Sequence, residues 1–151
     1  MNGKIEQALK NKSVIFLDTA PIIYFIEENR TYLPALKEVF LKIDQGLVSA
    51  ISSFITLIEL LVKPLQVKEY DVAGKYRDLM LGSPCFTLYP VERTVSEKAA
   101  ELRAKYGAGF KTPDAIQIAT AVSFGAQLFI TNDRNLKRVQ EIEILYLDDL
   151  V

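Results

Sequence analysis

The chain has 151 residues, with no histidine, no tryptophan and one cysteine, and its 18 basic residues nearly balance its 19 acidic residues. These counts exclude sites built on imidazole or on thiolate clusters, and they lack the basic bias typical of nonspecific nucleic-acid binding. The length fits one domain spanning residues 1–151. The N-terminus lacks the apolar core of a signal peptide, no apolar run is long enough to span a bilayer, and Cys85 can form no internal disulfide. We therefore expect a soluble cytoplasmic protein without membrane association.

Short apolar runs rich in Ile, Val and Phe predict five β-strands. The predicted strands are Val14 to Leu17, Leu47 to Ile51, Phe86 to Tyr89, Gln127 to Thr131 and Ile144 to Leu147. Segments with helical spacing lie between them, at Pro21 to Glu28, Leu33 to Gln45, Ser53 to Val62, Val67 to Leu81, Thr94 to Tyr106 and Pro113 to Phe124. Alternating strands and helices predict an α/β fold, a three-layer α/β/α domain around a mostly parallel five-stranded sheet.

Two acidic residues directly follow predicted strands. Asp18 comes after Val14 to Leu17, and Asp133 comes after Gln127 to Thr131. Open parallel sheets bind ligands at the carboxyl ends of their strands, so both residues are candidates for a functional site. The alternative roles are a helix N-cap for Asp18 and a backbone-bonding turn for Asp133.

Two more acidic residues lie in predicted helices. Glu59 lies in a segment that is apolar on almost all sides, which predicts a buried helix, and its alternative role is a surface ion pair with Lys63. Asp114 lies in the first turn of the last helix, where the helix dipole favours a carboxylate in any case. Gln117 and Thr120 are expected to keep the face of that helix partly polar. Because both helices follow strands, the four acids can converge in one cleft, where their repulsion would raise some pKa values and favour a divalent metal.

Four segments, in this order, resemble the PIN-domain family, in particular the VapC toxins of bacterial and archaeal toxin-antitoxin pairs. The segments are Phe16 to Thr19, Ser52 to Leu60, Pro113 to Ala121 and Phe129 to Asp133. One departure follows the last segment, because many relatives have a pattern like Asp-Arg-Asp-Phe where this chain has Asp133-Arg134-Asn135-Leu136.

The resemblance implies a metal-dependent endoribonuclease with Mg²⁺ or Mn²⁺ as its cofactor. The acidic site of the family falls on Asp18, Glu59, Asp114 and Asp133, which are therefore predicted to be catalytic and to bind the metal. Three further residues are predicted to support them: Thr19 by bonding Asp18, and Thr131 and Asn132 by bonding the loop that carries Asp133.

Partners are also predicted. The candidate contacts to the RNA backbone are Lys111, Arg134, Lys137 and Arg138, which flank the predicted cleft, although basic residues at helix ends are also ordinary solvated surface. The resemblance implies a cognate antitoxin and a homodimer. The apolar helices near Pro21 to Phe25 and Leu33 to Phe40 are expected to offer a groove for an antitoxin segment or a second copy of the chain.

Two alternatives remain open on the sequence alone. A PIN-like module that has lost turnover would serve as an RNA-binding or scaffolding unit, although the intact acidic set argues against it. A nuclease that acts on DNA, or in RNA processing rather than as a toxin, would carry the same residues.

Overall fold

The computed structural model describes residues 2–151. Its strands are β1 (Val14–Leu17), β2 (Ser49–Ser53), β3 (Phe86–Tyr89), β4 (Leu128–Thr131) and β5 (Glu143–Tyr146). Its helices are α1 (Asn2–Leu9), α2 (Thr19–Ile26), α3 (Leu33–Asp44), α4 (Phe54–Gln66), α5 (Tyr70–Gly82), α6 (Arg93–Tyr106) and α7 (Thr112–Ser123), with short 3-10 helices at Arg134–Leu136 and Leu147–Leu150. None of the helices among these residues is both long and apolar enough to cross a membrane.

All five strands form one parallel sheet in the order β3-β2-β1-β4-β5. The predicted α/β fold is confirmed, and the sheet is entirely rather than mostly parallel. Strand β1 lies at the centre, between β2 and β4, and Leu17 at its end pairs with Ile130. The carboxyl ends of three adjacent strands therefore meet at one edge, which we call the carboxyl edge.

Helices cover both faces of the sheet because side chains alternate along each strand. Ile15 and Leu17 of β1 pack with α1 to α5, whereas Phe16 packs with α6 and α7. The ring of Phe16 stacks on Phe129 of β4 with centroids 4.7 Å apart. Asp18, which follows Leu17, is consequently positioned by a strand that is buried on both faces.

Apart from shifts of one to three residues at the ends of several elements, two helices differ from the sequence prediction. Helix α1 was not predicted, because an eight-residue segment with two buried apolar residues, Ile5 and Leu9, gives too short a periodic pattern. Helix α4 continues past Pro64, where we expected an end, since the missing N–H of that proline affects only the last turn.

The prediction that α4 is buried was wrong. Its side chains Phe54, Ile58, Val62 and Leu65 are 39–59% exposed and form one continuous apolar surface, which we call the α4 stripe. The groove expected on α2 and α3 is not exposed in this way, because Ile22, Leu36 and Phe40 pack into the core. The exposed apolar surface of this region therefore lies on α4.

Glu141 anchors the segment that follows the end of β4. Its carboxylate accepts hydrogen bonds from Lys105 Nζ at 2.8 Å and from Tyr106 Oη at 2.6 Å, both at the end of α6. Burial opposes ionisation of this carboxyl, but these bonds and that of the Gln140 backbone N–H outweigh it and lower the pKa of Glu141 to about 2.

We predict that Glu141→Gln lowers the free energy of unfolding at pH 7 by roughly 1–3 kcal/mol, since the amide keeps the shape but loses charge-assisted bonds. A carboxyl whose folded pKa is depressed from 4.5 to about 2 stabilises the fold above pH 4.5 and loses this contribution as the pH falls toward 2. Urea unfolding of both proteins between pH 7 and pH 3 measures the difference, which should shrink with acidity. The control is Glu97→Gln, in an exposed pair with Arg93, and a pH-independent difference for Glu141→Gln would contradict the prediction.

Candidate metal and catalytic site

Asp18 lies at the carboxyl end of β1, where its backbone N–H still bonds Ile130 of β4 at 3.0 Å. It occupies the N-cap position of α2, but its side chain makes no capping hydrogen bond. Instead, Thr131 Oγ1 donates to Asp18 Oδ2 at 2.7 Å, and Gln117 Nε2 donates to Oδ1 at 3.4 Å. The helix-cap alternative therefore does not explain this carboxylate.

Asp133 follows β4 at the same edge. Its backbone N–H donates to Thr131 Oγ1 at 3.0 Å, so Thr131 joins Asp18 and Asp133 through one hydroxyl. Its Oδ1 accepts from the backbone N–H of Asn135 at 2.9 Å and caps the 3-10 helix, as the turn interpretation predicted. Oδ2 makes no hydrogen bond among the described residues and remains available for a ligand.

Glu59 extends from α4 toward the start of α2. Its Oε1 accepts from Thr19 Oγ1 at 3.1 Å. The Thr19 hydroxyl thus bonds Glu59, while the backbone N–H of Thr19 bonds the carboxylate of Asp18 and acts to lower the pKa of Asp18. No ion pair joins Glu59 to Lys63 in residues 2–151, so the surface-pair alternative is wrong.

Asp114 lies in the first turn of α7 and is half-buried. The helix reaches the carboxyl edge from the opposite layer to α4, since α7 covers the Phe16 face of the sheet. Four acidic side chains thus lie near the carboxyl edge: Asp18 after β1, Asp133 after β4, and Glu59 and Asp114 from the two helical layers.

The four acids influence one another electrostatically. Burial raises the pKa of Asp18 above its ordinary value, against the hydrogen bonds from Thr131 and Gln117, and the charge of Asp133 adds to the increase. Burial also raises the pKa of Glu59, with contributions from Asp18 and Asp114. For Asp114, burial and then the charges of Asp133 and Asp18 raise the pKa, whereas Lys111 lowers it. A nearby cation would relieve this repulsion.

The donor chemistry fits a hard divalent cation. All four side chains offer oxygen ligands, which Mg²⁺ and Mn²⁺ prefer, and the sequence has no histidine that would favour zinc. Within residues 2–151, no three acidic side chains are arranged as a ready ligand set for one ion. Mg²⁺ usually binds through one or two carboxylates and several waters, so the arrangement is compatible with that ion.

A buried polar cluster lies beneath the carboxyl edge, and the sequence analysis did not identify it. Its members are Ser52, Ser53, Thr56 and Gln117, all at most 2% exposed. Gln117 contacts Ser53 and Thr56 as well as Asp18. The signal in the sequence was a glutamine in the mostly small and apolar segment of α7 that follows Asp114.

Asn132 does not bond Asp133 but anchors the C-terminal turn. Its side chain exchanges two hydrogen bonds with Asp148, at 3.3 Å from Nδ2 to Oδ1 and at 3.0 Å from the Asp148 backbone N–H to Asn132 Oδ1. Its support of the loop that carries Asp133 is therefore indirect.

The predicted RNA-contacting residues differ in whether their side chains already contact other residues of the protein. Arg134 bonds Asp149 at 2.7 Å and lies 4.2 Å from the centre of the Tyr146 ring, and Arg138 lies 5.8 Å from the Tyr106 ring. Lys111 and Lys137 are exposed. Lys111 is close enough to Asp114 to lower its pKa, although burial and the neighbouring acids have the larger effect.

We predict that Thr131→Val lowers the free energy of unfolding by about 1–3 kcal/mol, because the carboxylate of Asp18 and the N–H of Asp133 each lose a buried partner. Thr131→Ser keeps the hydroxyl and is the matched control. Urea unfolding at pH 7 measures both variants. A serine variant as destabilised as the valine variant would contradict the prediction, since the methyl group rather than the hydroxyl would then be responsible.

Comparisons with known proteins agree with this architecture. The chain resembles the crystal structure of VapBC2 from Rickettsia felis bound to a DNA fragment from their promoter, with a TM-score of 0.69 and 18% identity over 88% of this chain and 98% of that chain. It also resembles a toxin-antitoxin complex from Klebsiella pneumoniae, with a TM-score of 0.64 and 22% identity over 88% of this chain and 97% of that chain. A third similar structure is VapBC-1 from nontypeable Haemophilus influenzae, with a TM-score of 0.63 and 21% identity over 89% and 98% of the two chains. At these identities the likeness shows the fold.

A comparison with curated proteins finds no match. The family model of the PIN domain matches residues 15–142, which contain helices from both faces of the sheet and all four acids. This match covers most of the chain. The chain therefore belongs to the PIN domain family.

Proposed function

We propose that residues 1–151 act as one PIN nuclease domain, a metal-dependent endoribonuclease that hydrolyses RNA phosphodiester bonds as the toxin of a VapBC-type pair. The observation that supports this most is the convergence of four carboxylates at the carboxyl edge, where one Thr131 hydroxyl joins Asp18 and Asp133 and where burial and mutual repulsion raise the pKa values of Asp18, Glu59 and Asp114. A scaffold would gain nothing from this repulsion, whereas a metal site uses it. PIN domains are as a family nucleases that generally use divalent metal ions.

Asp18, Glu59, Asp114 and Asp133 are the proposed catalytic residues and would hold Mg²⁺ or Mn²⁺, partly through water. When bound, such an ion would offset the negative charge of the phosphate and lower the pKa of the attacking water. The carboxylates orient that water and accept its proton. The water oxygen would bond to phosphorus as the bond between phosphorus and O3′ breaks, and O3′ would take a proton from solvent water, which leaves a 5′-phosphate and a 3′-hydroxyl.

Substrate contact is proposed for Lys111 and Lys137, which are exposed, and for Arg138. Arg134 was the fourth candidate, and its pairing with Asp149 makes it better suited to holding the C-terminal turn than to binding phosphate. A cytoplasmic site of action belongs to this proposal, because RNA is the substrate and the single Cys85 requires no oxidising compartment.

An antitoxin partner is part of the proposal, because the similar structures named above include toxin-antitoxin complexes. The α4 stripe supports an antitoxin partner, because exposed apolar surfaces of this kind are common protein-binding sites. Helix α4 also carries Glu59, so a protein bound to the stripe would lie close to the carboxyl edge. A homodimer is proposed as well. Further apolar side chains are exposed, Val67 just after α4 and Tyr70 and Leu81 near the two ends of α5, and would be available to a second copy.

The activity is tested by incubating purified, antitoxin-free protein and labelled structured RNA with EDTA, Mg²⁺ or Mn²⁺. We predict cleavage only with a divalent ion, and a loss of roughly 100-fold or more in Asp114→Asn, because one charge of the metal-binding set is removed. Asp71→Asn is the matched control, since Asp71 lies in the first turn of α5 just as Asp114 lies in the first turn of α7.

Cleavage that persists in EDTA, or equal activity of both variants, would contradict the proposal. Folded wild-type protein that binds RNA without cutting it would support the silent RNA-binding module instead.

A further inference from the structure

Gln117 is a buried amide in a helix that otherwise packs small apolar side chains. It is 2% exposed and lies one turn after Asp114 on α7. Burying an amide costs free energy unless its polar atoms are paired. Gln117 has three partners: Oε1 accepts from Ser53 Oγ, and Nε2 donates to Thr56 Oγ1 and to Asp18 Oδ1, the last at 3.4 Å.

We propose that Gln117 is the positioning residue for Asp18, holding one carboxylate oxygen while Thr131 holds the other, so that the carboxylate is oriented for a divalent cation. This inference rests on the proposed function. Gln117 would act through Asp18 and would touch neither the metal nor the RNA.

The direction of the amide is set by its other contacts. Ser53 Oγ accepts from the backbone N–H of Ile55 at 3.2 Å, which leaves its hydroxyl proton for Gln117 Oε1. The amide oxygen is thereby turned toward Ser53 and the amide N–H₂ toward Asp18. A reversed amide would place an oxygen against the carboxylate and repel it.

Fixing both oxygens determines the plane of the carboxylate. Thr131 donates to Oδ2 from β4, and Gln117 donates to Oδ1 from α7, so the two donors come from separate elements. Each donor leaves lone pairs on its oxygen for a further ligand. The carboxylate of Asp18 is thus held in one orientation and can still coordinate a cation.

The same contacts connect three of the elements that carry acids. Gln117 belongs to the helix of Asp114, while Ser53 and Thr56 lie at the start of the helix of Glu59. Ser52 Oγ lies 2.9 Å from both Thr56 Oγ1 and Leu17 O, the carbonyl just before Asp18. One buried cluster therefore sets the relative positions of α7, α4 and the end of β1.

The test compares Gln117→Met, which keeps the side-chain length but has no N–H, with Thr120→Val. Thr120 is also fully buried on α7, and among residues 2–151 its hydroxyl bonds only the Ile116 carbonyl of its own helix, at 2.7 Å. Mn²⁺ affinity is measured by electron paramagnetic resonance without RNA, and cleavage is measured against Mg²⁺ and RNA concentration. Urea unfolding verifies that both variants are folded.

We expect Gln117→Met to weaken Mn²⁺ binding about 10–100-fold and to raise the Mg²⁺ concentration needed for cleavage, as typically follows from loss of a ligand's hydrogen-bond partner. The KM for RNA should stay unchanged at saturating Mg²⁺, and Thr120→Val should bind Mn²⁺ like the wild type.

Wild-type affinity in Gln117→Met, or an equal loss in both variants, would overturn the positioning role while the wild type still binds the ion and cuts. A wild-type protein that neither binds Mn²⁺ nor cuts RNA would overturn the proposed function and this inference together.

Discussion

The partial burial of one hydrogen-bonded carboxylate, that of Asp18, is the constraint on which the site depends. The preceding strand, β1, is buried on both faces, so the residue that follows it, Asp18, has little conformational freedom and limited contact with water. Desolvation disfavours the charged form. Hydrogen bonds from Thr131 and Gln117 offset part of this cost, and a cation would offset more. The fold thus keeps a poorly solvated acid at the place where parallel sheets bind ligands.

The layered architecture supplies the remaining acids. Glu59 comes from the layer on the Leu17 face, Asp114 from the layer on the Phe16 face, and Asp133 from the loop after β4. Their backbones are fixed by separate packing interfaces, which resist the repulsion between the side chains. Packing of the hydrophobic core therefore holds the four acids close together, and a bound metal ion would gain stability by relieving their repulsion.

The sequence predicted the strands because they are short apolar runs, and it predicted the parallel architecture because these runs alternate with helical segments. It failed where tertiary context decides. The apolar pattern of α4 could not distinguish a buried helix from one that exposes Phe54, Ile58, Val62 and Leu65. The role of Gln117 was missed because it depends on contacts with Ser53 and Thr56, more than 60 residues away in the chain.

The most direct test of a carboxylate-held metal is a crystal of the wild-type protein soaked in Mn²⁺, with anomalous diffraction data collected. We expect a strong anomalous peak at the carboxyl edge, beside the carboxylates of Asp18, Glu59, Asp114 and Asp133. Manganese peaks found only elsewhere on the protein, with this edge empty at saturating Mn²⁺, would contradict it.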